Sequence, residues 1–343
     1  MFTRNVKSIL GELTASRTER KIFMVLDDHT LQYCWPVIRG FREVPEDHLY
    51  VFQPGESRKN LNNVAEIWER FGALGIDRRS LVINLGGGVV SDLGGFAAST
   101  LKRGIPFVHV PTTLLAMVDA AIGGKTGINF RGLKNEVGVI RLPERVVIDP
   151  VFLKTLPANE LLSGYAEILK AALIANAGLW KRIAPNSLPA PEDPEWEPLI
   201  RESVRIKHLI VKTDPDETGL RKALNFGHTV GHALESELMK SGQPIPHGFA
   251  IAFGMVIEAR LSVMTSGLPA RQAEDIEMVV RRIFGPMPEL FNHPERLIPW
   301  MRFDKKNQGD RIHFAFLPRI GAVEVHHSLK EAEILKGFQQ KTS

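Results

Sequence analysis

Three histidines in the second half of the chain have a spacing that suits metal binding or proton transfer. His228 and His232 are four positions apart, and His247 stands between Pro246 and Gly248. On a helix, residues four apart leave the same face one turn apart. Two such imidazoles can hold a divalent metal, or one can bind metal while the other moves a proton. The alternative is a pair of helix histidines satisfied by local hydrogen bonds.

A carboxylate is needed to complete such a site. Residues 163–170, Ser-Gly-Tyr-Ala-Glu-Ile-Leu-Lys, carry Glu167 and Lys170 among small and apolar side chains. A carboxylate on such a helix face must be paired, hydrogen-bonded or coordinated. Glu167 with His228 and His247 would make an open site of two imidazoles and one carboxylate.

The composition describes a globular protein of two domains. The chain has 343 residues, 44% of them hydrophobic and 24% charged. The single cysteine excludes an internal disulfide framework and fits a reducing compartment. Residues 1–20 lack the pattern of a signal peptide, and no apolar run reaches the ~18 residues of a membrane span. We therefore expect a cytoplasmic protein without membrane or nucleic-acid partners, since a net charge of +4 is too small to indicate nucleic acid.

The first domain, residues 1–156, alternates short apolar runs with helical patterns, which predicts a parallel α/β layer. A helix is predicted over residues 61–74, and strands over residues 21–27, 48–53, 81–85, 107–110 and 146–149. Asp28 follows the first strand, where an acid either holds a ribose hydroxyl or caps the next helix. Thr112 and Thr113 offer hydroxyls at the end of the fourth strand.

A glycine-rich turn, Gly-Gly-Gly-Val-Val-Ser-Asp-Leu-Gly-Gly-Phe at residues 86–96, follows the third strand. Its backbone N–H groups and the helix N-terminus behind them suit a pyrophosphate. The common dinucleotide fingerprint Gly-x-Gly-x-x-Gly is absent. A tight strand-to-helix turn without a ligand is the alternative.

Polar side chains stand among small residues between positions 118 and 135. They are Asp119, Lys125, Lys134 and Asn135. Lysine among glycines is well placed to meet an anion. The alternative is a solvated loop.

The second domain, residues 157–343, is predicted to be mainly helical and to hold metal and substrate. The predicted helices cover residues 158–175, 196–213, 225–239, 248–267 and 270–284, and β-type runs occur only at 313–316 and 322–326. The proline-rich, acidic stretch 185–198 is predicted to be a surface excursion inside this domain.

The chain resembles the 3-dehydroquinate synthase family over residues 21–326, because nine short motifs occur in the same order as in that family. Besides the glycine-rich turn they include Val-Pro-Thr-Thr-Leu-Leu, Val-Asp-Ala-Ala-Ile-Gly-Gly-Lys-Thr, Leu-Lys-Asn, Gly-Tyr-Ala-Glu-Ile-Leu-Lys, the histidine segment and Asp-Lys-Lys-Asn. The resemblance implies an α/β nucleotide-binding domain joined to a helical metal-binding domain. It also implies a homodimer that uses catalytic NAD and one divalent metal, zinc or cobalt.

The resemblance also assigns roles to individual residues. The implied metal ligands are Glu167, His228 and His247. With Asp28 added from the strand pattern, the implied NAD contacts are Glu56, Lys59, Gly87, Gly88, Val89, Val90, Ser91, Asp92, Thr112, Thr113, Asp119, Lys125, Lys134, Phe152, Leu153, Lys154 and Thr155. The implied catalytic and substrate-binding set is Arg103, Lys125, Asn135, Lys170, Lys207, Arg221, Asn225, His232 and Lys305. Asp119 belongs to the substrate set as well, and Arg103 is implied to reach the neighbouring subunit.

The implied substrate is 3-deoxy-D-arabino-heptulosonate 7-phosphate, which the second step of the shikimate pathway converts to 3-dehydroquinate and phosphate. The conversion comprises oxidation, phosphate elimination, reduction, ring opening and aldol closure. Two positions depart from the family pattern: Leu133 separates Gly132 from Lys-Asn, and Phe249 replaces the usual acid after His-Gly. Another sugar-phosphate cyclase, a glycerol-dehydrogenase-like alcohol dehydrogenase and a member without activity are the alternatives.

Overall fold

The structure is a computed structural model that describes residues 1–15, 20–131, 133–302 and 311–339. The chain folds into two compact units. One contains Met1–Pro157 and Ala190–Val204, and the other contains Ala158–Pro189 and Arg205–Ser343.

The first unit is built on a parallel sheet, as predicted. Its strands, with the adjoining hairpin, are β1 Ile22–Asp27, β2 Leu49–Phe52, β3 Leu81–Gly86, β4 Phe107–Pro111, β5 Lys125–Phe130, β6 Leu133–Ile140 and β7 Arg145–Val146. The sheet order is β2-β1-β3-β4-β7, with parallel pairing throughout. β1 and β3 are buried along almost their whole length, as expected of parallel strands covered on both faces.

Helices cover this sheet and close its core. They are α1 Val6–Ala15, α2 Asp28–Tyr33, α3 Trp35–Ile38, α4 Leu61–Ala73 and α5 Gly88–Thr100. Phe23, Phe71, Leu93 and Phe107 are fully buried in one cluster between the sheet and α4 and α5. The carboxyl ends of β1, β3 and β4 therefore share one edge, where α2 and α5 begin.

Two sequence expectations for this unit are corrected. No strand was predicted in the polar segment after residue 118, for which a solvated loop was the alternative, but β5 and β6 form an antiparallel hairpin there, with a bulge between Ile128 and Phe130. Glycine and charged residues are poor strand formers and hide the pattern. The predicted last strand is shorter and consists of Arg145–Val146.

The predicted excursion at 185–198 does not belong wholly to the helical domain. Residues 190–204 are part of the first unit. Glu197 accepts a hydrogen bond from Arg4 at 2.8 Å, and Trp196 is fully buried. Burial of an aromatic side chain and an ion pair to the N-terminal segment explain why this stretch departs from the predicted domain.

The second unit is mainly helical, as predicted. Its elements are α6 Ala158–Ala175, α7 Ala177–Ile183, α9 His228–Lys240, α10 His247–Thr265, α11 Ala270–Phe284, α12 Ile298–Arg302, β8 Ile312–Arg319, β9 Ala322–Leu329 and α13 Glu331–Gln339. α8, Trp196–Thr213, begins in the first unit and belongs to the second from Arg205 onward. The helix predicted from residue 225 begins instead at His228. A 3₁₀ turn, Leu220–Asn225, precedes it, and Gly227 takes a left-handed φ of 81° between the two.

α10 is the central helix of this unit. It is long and apolar enough to match a membrane span, contrary to the expectation from the sequence. In the structure 78% of its apolar window is buried within the protein, as in the core helix of a globular domain.

Two glycines let α10 approach its neighbours closely. A Cβ on Gly248 would lie 2.1 Å from the carbonyl oxygen of Ser163 in α6, and one on Gly254 would lie 2.1 Å from that of Gly227 before α9. Both neighbouring atoms are backbone carbonyl oxygens, which cannot shift without moving the chain that carries them. The three helices that carry Glu167, His228 and His247 are therefore brought together by backbone contact.

We predict that Gly254→Ala lowers the free energy of unfolding by about 1–3 kcal/mol, because the added methyl group overpacks the α9–α10 contact. Gly72→Ala, on an exposed face of α4 with no atom within 4 Å of its new Cβ, is the matched control. It should be neutral or stabilising by about 0.5–1 kcal/mol. Denaturant unfolding measures both, and an unchanged Gly254→Ala protein would contradict the close packing.

Candidate functional site

The three histidines predicted from the sequence lie together. α9 carries His228 and His232 one turn apart, and His247 begins α10. The ring centroids are 5.1 Å apart for His228–His232, 5.7 Å for His228–His247 and 5.6 Å for His232–His247. One nitrogen from each ring lies within 4.8 Å of the others, so these rings can share a metal ion.

Glu167 in α6 adds a buried carboxylate to this cluster. Its Oε2 forms an ion pair with Lys170 on the same helix. Its Oε1 is 3.7 Å from Nε2 of His228 and has no hydrogen-bond partner among the described residues. Two ligands at ~2.05 Å from a tetrahedral zinc are about 3.3 Å apart, so the observed gap is close to what a shared ion requires. A buried carboxylate oxygen without a partner is costly, and a metal would satisfy it.

Hydrogen bonds fix the orientation of two imidazoles. Nδ1–H of His228 donates to the carbonyl oxygen of Phe226 at 3.2 Å, and Nδ1–H of His247 donates to Oε2 of Glu235 at 3.2 Å. Because both partners only accept, Nδ1 carries the proton in the neutral form of each ring, which leaves Nε2 as the nitrogen that can bind a metal. Burial, followed by the nearby Lys170 charge, holds the pKa of His228 well below its usual range and also favours the neutral ring.

Glu235 is a functional residue that the sequence reasoning missed. The spacing in the sequence could have identified it, because Glu235 lies three residues after His232 and seven after His228, on the same helix face. Phe249, at the position where the family usually has an acid, packs edge-to-face on Phe284 at 5.3 Å. The carboxylate beside His247 therefore comes from α9.

The other residues predicted for the substrate set in this unit have the following positions. Arg221 is buried in the 3₁₀ turn before α9 and donates through Nη1 to the carbonyl oxygen of Pro215 at 2.7 Å. Asn225 ends that turn and donates to Glu217 at 3.3 Å, and Lys207 lies half-buried on α8. Lys305 lies outside the described residues, as does Gly132.

In the first unit, the glycine-rich turn delivers the N-terminus of α5 to the carboxyl edge of the sheet. Gly87 is the residue before the helix, and a Cβ there would lie 2.9 Å from Cγ2 of Thr113. The first N–H groups of the helix, from Gly88 onward, have no acceptor within it. N–H groups at a helix N-terminus that follow a glycine turn suit a phosphate. Val89, Val90 and Ser91 follow in the first turn.

A network of polar side chains lies beside this turn, around a buried lysine. Nζ of Lys59 donates to Oδ2 of Asp92 at 3.1 Å, to Oε1 of Glu56 at 3.1 Å and to Oδ1 of Asn135 at 2.7 Å. Burial raises the pKa of Asp92 to about 6, against the opposing effect of Lys59. Burial also works to lower the pKa of Lys59, but the two carboxylates outweigh it and the pKa is raised.

The remaining predicted cofactor residues differ in what they can offer a ligand. Asp27, rather than Asp28, caps α2 by accepting from Thr30 N at 2.8 Å, and Asp28 is exposed at the first helical position. The 3₁₀ turn Pro150–Thr155 buries Phe152 and Leu153 and exposes Lys154 and Thr155. Thr112 is buried, Asp119 is half-buried, and Lys125 and Lys134 are exposed on the hairpin.

Arg103 stands in a strained turn. Lys102, Arg103 and Gly104 have φ angles of 51°, 64° and 113°, the left-handed region that ordinary side chains avoid. Such strain persists where surrounding structure enforces it, and it is frequent at functional sites.

Comparison with known proteins identifies the family. A family model described as "3-dehydroquinate synthase N-terminal" matches residues 49–163, and one described as "3-dehydroquinate synthase C-terminal" matches residues 164–307. The 3-dehydroquinate synthase of Parabacteroides distasonis is 39% identical over 98% of this chain and 96% of that protein. The chain belongs to the 3-dehydroquinate synthase family.

Other similar proteins agree with this family. The 3-dehydroquinate synthase of Pyrococcus furiosus is also 39% identical, over 97% of this chain and 96% of that protein. Among solved structures, ValA (2-epi-5-epi-valiolone synthase) from Streptomyces hygroscopicus, with NAD⁺ and Zn²⁺ bound, has a TM-score of 0.85 at 26% identity and covers 99% of this chain and 95% of that chain. A probable glycerol dehydrogenase from Sinorhizobium meliloti shares the fold alone, with a TM-score of 0.65 at 14% identity over 98% of this chain and 94% of that chain.

We predict that His228→Ala and Glu167→Gln each weaken zinc binding by more than the roughly 100-fold expected for loss of an outer partner, whereas His232→Ala weakens it less than about tenfold. Affinity is measured by competition with a chelator. His208→Ala, at an exposed position on α8, is the control. If His232→Ala loses zinc and Glu167→Gln keeps it, the ligands are the three imidazoles instead.

Proposed function

We propose that the protein converts 3-deoxy-D-arabino-heptulosonate 7-phosphate to 3-dehydroquinate and phosphate, with bound NAD and one divalent metal, zinc or cobalt. The observation that carries the proposal is the unpartnered carboxylate oxygen of buried Glu167, 3.7 Å from Nε2 of His228. It occurs in a chain 39% identical to 3-dehydroquinate synthases over nearly its whole length.

The metal would be held by Glu167, His228 and His247. When bound, it supplies Lewis-acid chemistry that lowers the pKa of a substrate hydroxyl. The chain contributes the orientation of this site. Phe226 and Glu235 set the tautomers of the two imidazoles, and Lys170 holds the second oxygen of Glu167. His232 is more exposed than Glu167 and remains available to bind the substrate or move a proton.

NAD would be held at the carboxyl edge of the parallel sheet. The N–H groups of Gly88, Val89 and Val90 begin α5 and suit the pyrophosphate, because negative charge is favoured at a helix N-terminus. Thr112 and Thr113 end the neighbouring strand and border the same turn. When bound there, NAD would supply reversible hydride transfer and would not be consumed overall.

Basic residues in the matched motifs suit a substrate with both a phosphate and a carboxylate. Lys125 and Lys134 are exposed on the hairpin, and Lys207 and Arg221 lie in the helical unit. Ammonium and guanidinium groups form charge-assisted hydrogen bonds with such anions. Lys125, Asn135 and Arg221 would bind the carboxylate, a group that cyclases of uncarboxylated sugars do not need. Their presence favours dehydroquinate over an inosose or valiolone as product.

We predict that phosphate and the carbocycle form together and that product exceeds added NAD by many turnovers. The assay combines the zinc-loaded protein, the heptulosonate phosphate and substoichiometric NAD, and it follows phosphate release, carbocycle and NADH absorbance. His228→Ala is the inactive control. NADH that accumulates in proportion to product would instead indicate a dehydrogenase of the glycerol-dehydrogenase type.

We further propose that the protein acts as a homodimer in the cytoplasm and that the β5–β6 hairpin takes part in the dimer contact. β6 is exposed on both faces, and Leu133 and Ile140 are more than half exposed. Among the described residues β6 pairs with β5 alone, which leaves its other edge open to a second strand. Arg141, directly after β6, packs against the Gly104 turn and so joins this surface to Arg103.

Arg103 would then bind the phosphate of the neighbouring subunit's substrate through its planar fork, which lysine cannot copy. We predict that Arg103→Ala subunits mixed with His228→Ala subunits regain activity. A mixed dimer has one site that lacks both groups and one intact site. Random mixing therefore restores about a quarter of wild-type activity.

The control for this experiment is each variant alone, at the same total concentration. If demonstrated heterodimers recover no activity, Arg103 serves its own subunit or only its own loop. In the latter case Arg103→Ala lowers stability and leaves the KM for the substrate unchanged.

A further inference from the structure

All three N–H groups of the Lys59 ammonium are taken by acceptors within the protein. Their partners are Asp92, Glu56 and Asn135, at 3.1, 3.1 and 2.7 Å. Lys59 is 5% exposed and directly follows the 3₁₀ turn Glu56–Arg58, in the segment between β2 and α4. An ammonium has three donors and no acceptor, so none is left for a nucleotide unless one of these bonds breaks. The family resemblance assigned Lys59 to NAD, and its contacts show a further connection, to Asn135.

The contact with Lys59 determines which way the Asn135 amide points. Because an ammonium only donates, the atom of Asn135 that faces Lys59 must be the carbonyl oxygen. The amide NH₂ group must then lie on the other side of the side chain. The shortest of the three Lys59 contacts, at 2.7 Å, is the one that sets this orientation.

The backbone of Asn135 is fixed by the same network. Its φ is 51°, a left-handed value that asparagine tolerates better than most residues. Its N–H donates to Oδ1 of Asn129 at 2.9 Å, and Nδ2 of Asn129 donates to Oε1 of Glu56 at 2.8 Å. Glu56 in turn binds Lys59 at 3.1 Å. The side chain and the backbone of Asn135 are thus tied to one closed ring of hydrogen bonds.

We propose that Lys59 is a positioning residue that holds the side-chain oxygen of Asn135 and thereby presents the Asn135 NH₂ group to the carboxylate of the substrate. The inference rests on the proposed function for the identity of that substrate. An NH₂ group donates to a carboxylate, whereas a flipped amide would present a carbonyl oxygen and repel it. By holding the oxygen of Asn135, Lys59 leaves the NH₂ group to face the substrate, and this group can bind only a hydrogen-bond acceptor such as a carboxylate oxygen.

This role separates Lys59 from a simple structural ion pair. If Lys59 only neutralised Asp92 and Glu56, its removal would affect the nucleotide side of the network or the stability of the unit. If it orients Asn135, its removal must also weaken substrate binding, and only while Asn135 is present. The coupling between the two residues is what distinguishes the two roles.

The test is a double-mutant cycle with Lys59→Met and Asn135→Ala, measured as kcat, as KM for the heptulosonate phosphate and as the dissociation constant of NAD. We expect each single change to raise KM by about 10- to 100-fold, the effect of losing a charge-assisted hydrogen bond. The double variant should be no worse in KM than Asn135→Ala alone. Any effect of Lys59→Met on the dissociation constant of NAD should be the same whether residue 135 is Asn or Ala. Lys7→Met and Asn62→Ala, both exposed, are matched controls.

Each outcome has a defined meaning. If the KM of the double variant rises by the product of the two single increases, the proposal is overturned, because Lys59 then acts independently of Asn135. A wild-type KM for Lys59→Met would overturn it too. If Lys59→Met does not fold, Lys59→Arg replaces it, since arginine keeps the charge but not the lysine geometry. Failure of the unaltered protein to release phosphate and form the carbocycle would refute the proposed function, which is a separate result.

Discussion

A buried carboxylate on α10 determines where α9, the helix that carries His228 and His232, begins. Glu258 is fully buried, and its two oxygens accept from the N–H groups of Gly227 at 2.7 Å and Val230 at 3.1 Å. α9 has no side-chain cap of its own, because the residue before it is glycine. A negative charge at a helix N-terminus is favoured by both the free N–H groups and the helix dipole. His228 is the first residue of that helix, so Glu258 places it.

Close helix packing extends the same constraint to Glu167 and His247, the other two candidate ligands. Gly254 lets α10 touch the backbone at Gly227, and Gly248 lets it touch α6 at Ser163. Ser163 also accepts a hydrogen bond through Oγ from the backbone N–H of Gly248 at 2.9 Å. Glu167 lies one turn further along α6. Rigid helices in backbone contact hold ligands more precisely than loops do, which a metal site requires.

The sequence predicted the elements well where burial is continuous and periodic. β1, β3 and β4 were found because parallel strands covered on both faces are uninterrupted apolar runs. The helix predicted from residue 248, after Pro246, begins one residue earlier, at His247. In the β5–β6 hairpin, β6 was missed because a strand exposed on both faces shows no alternation of polar and apolar residues.

The candidate site was predictable to the extent that its residues share a motif. His228 and His232 follow from their spacing on one helix, and Glu167 from its position on an otherwise apolar face. Contacts between distant segments leave no such pattern. Lys59 and Asn135 are 76 positions apart, and each was assigned a different ligand before the structure placed their side chains 2.7 Å apart.

His247 is oriented by a residue of another helix. Its Nδ1–H donates to Glu235, on α9. The orientation of His247 therefore depends on α9 as well as on its own helix, and the position of α9 depends on Glu258. A single buried carboxylate is thus connected to both imidazoles of the candidate metal site. It places His228 directly through the helix start, and it places the partner of His247 two turns further along the same helix.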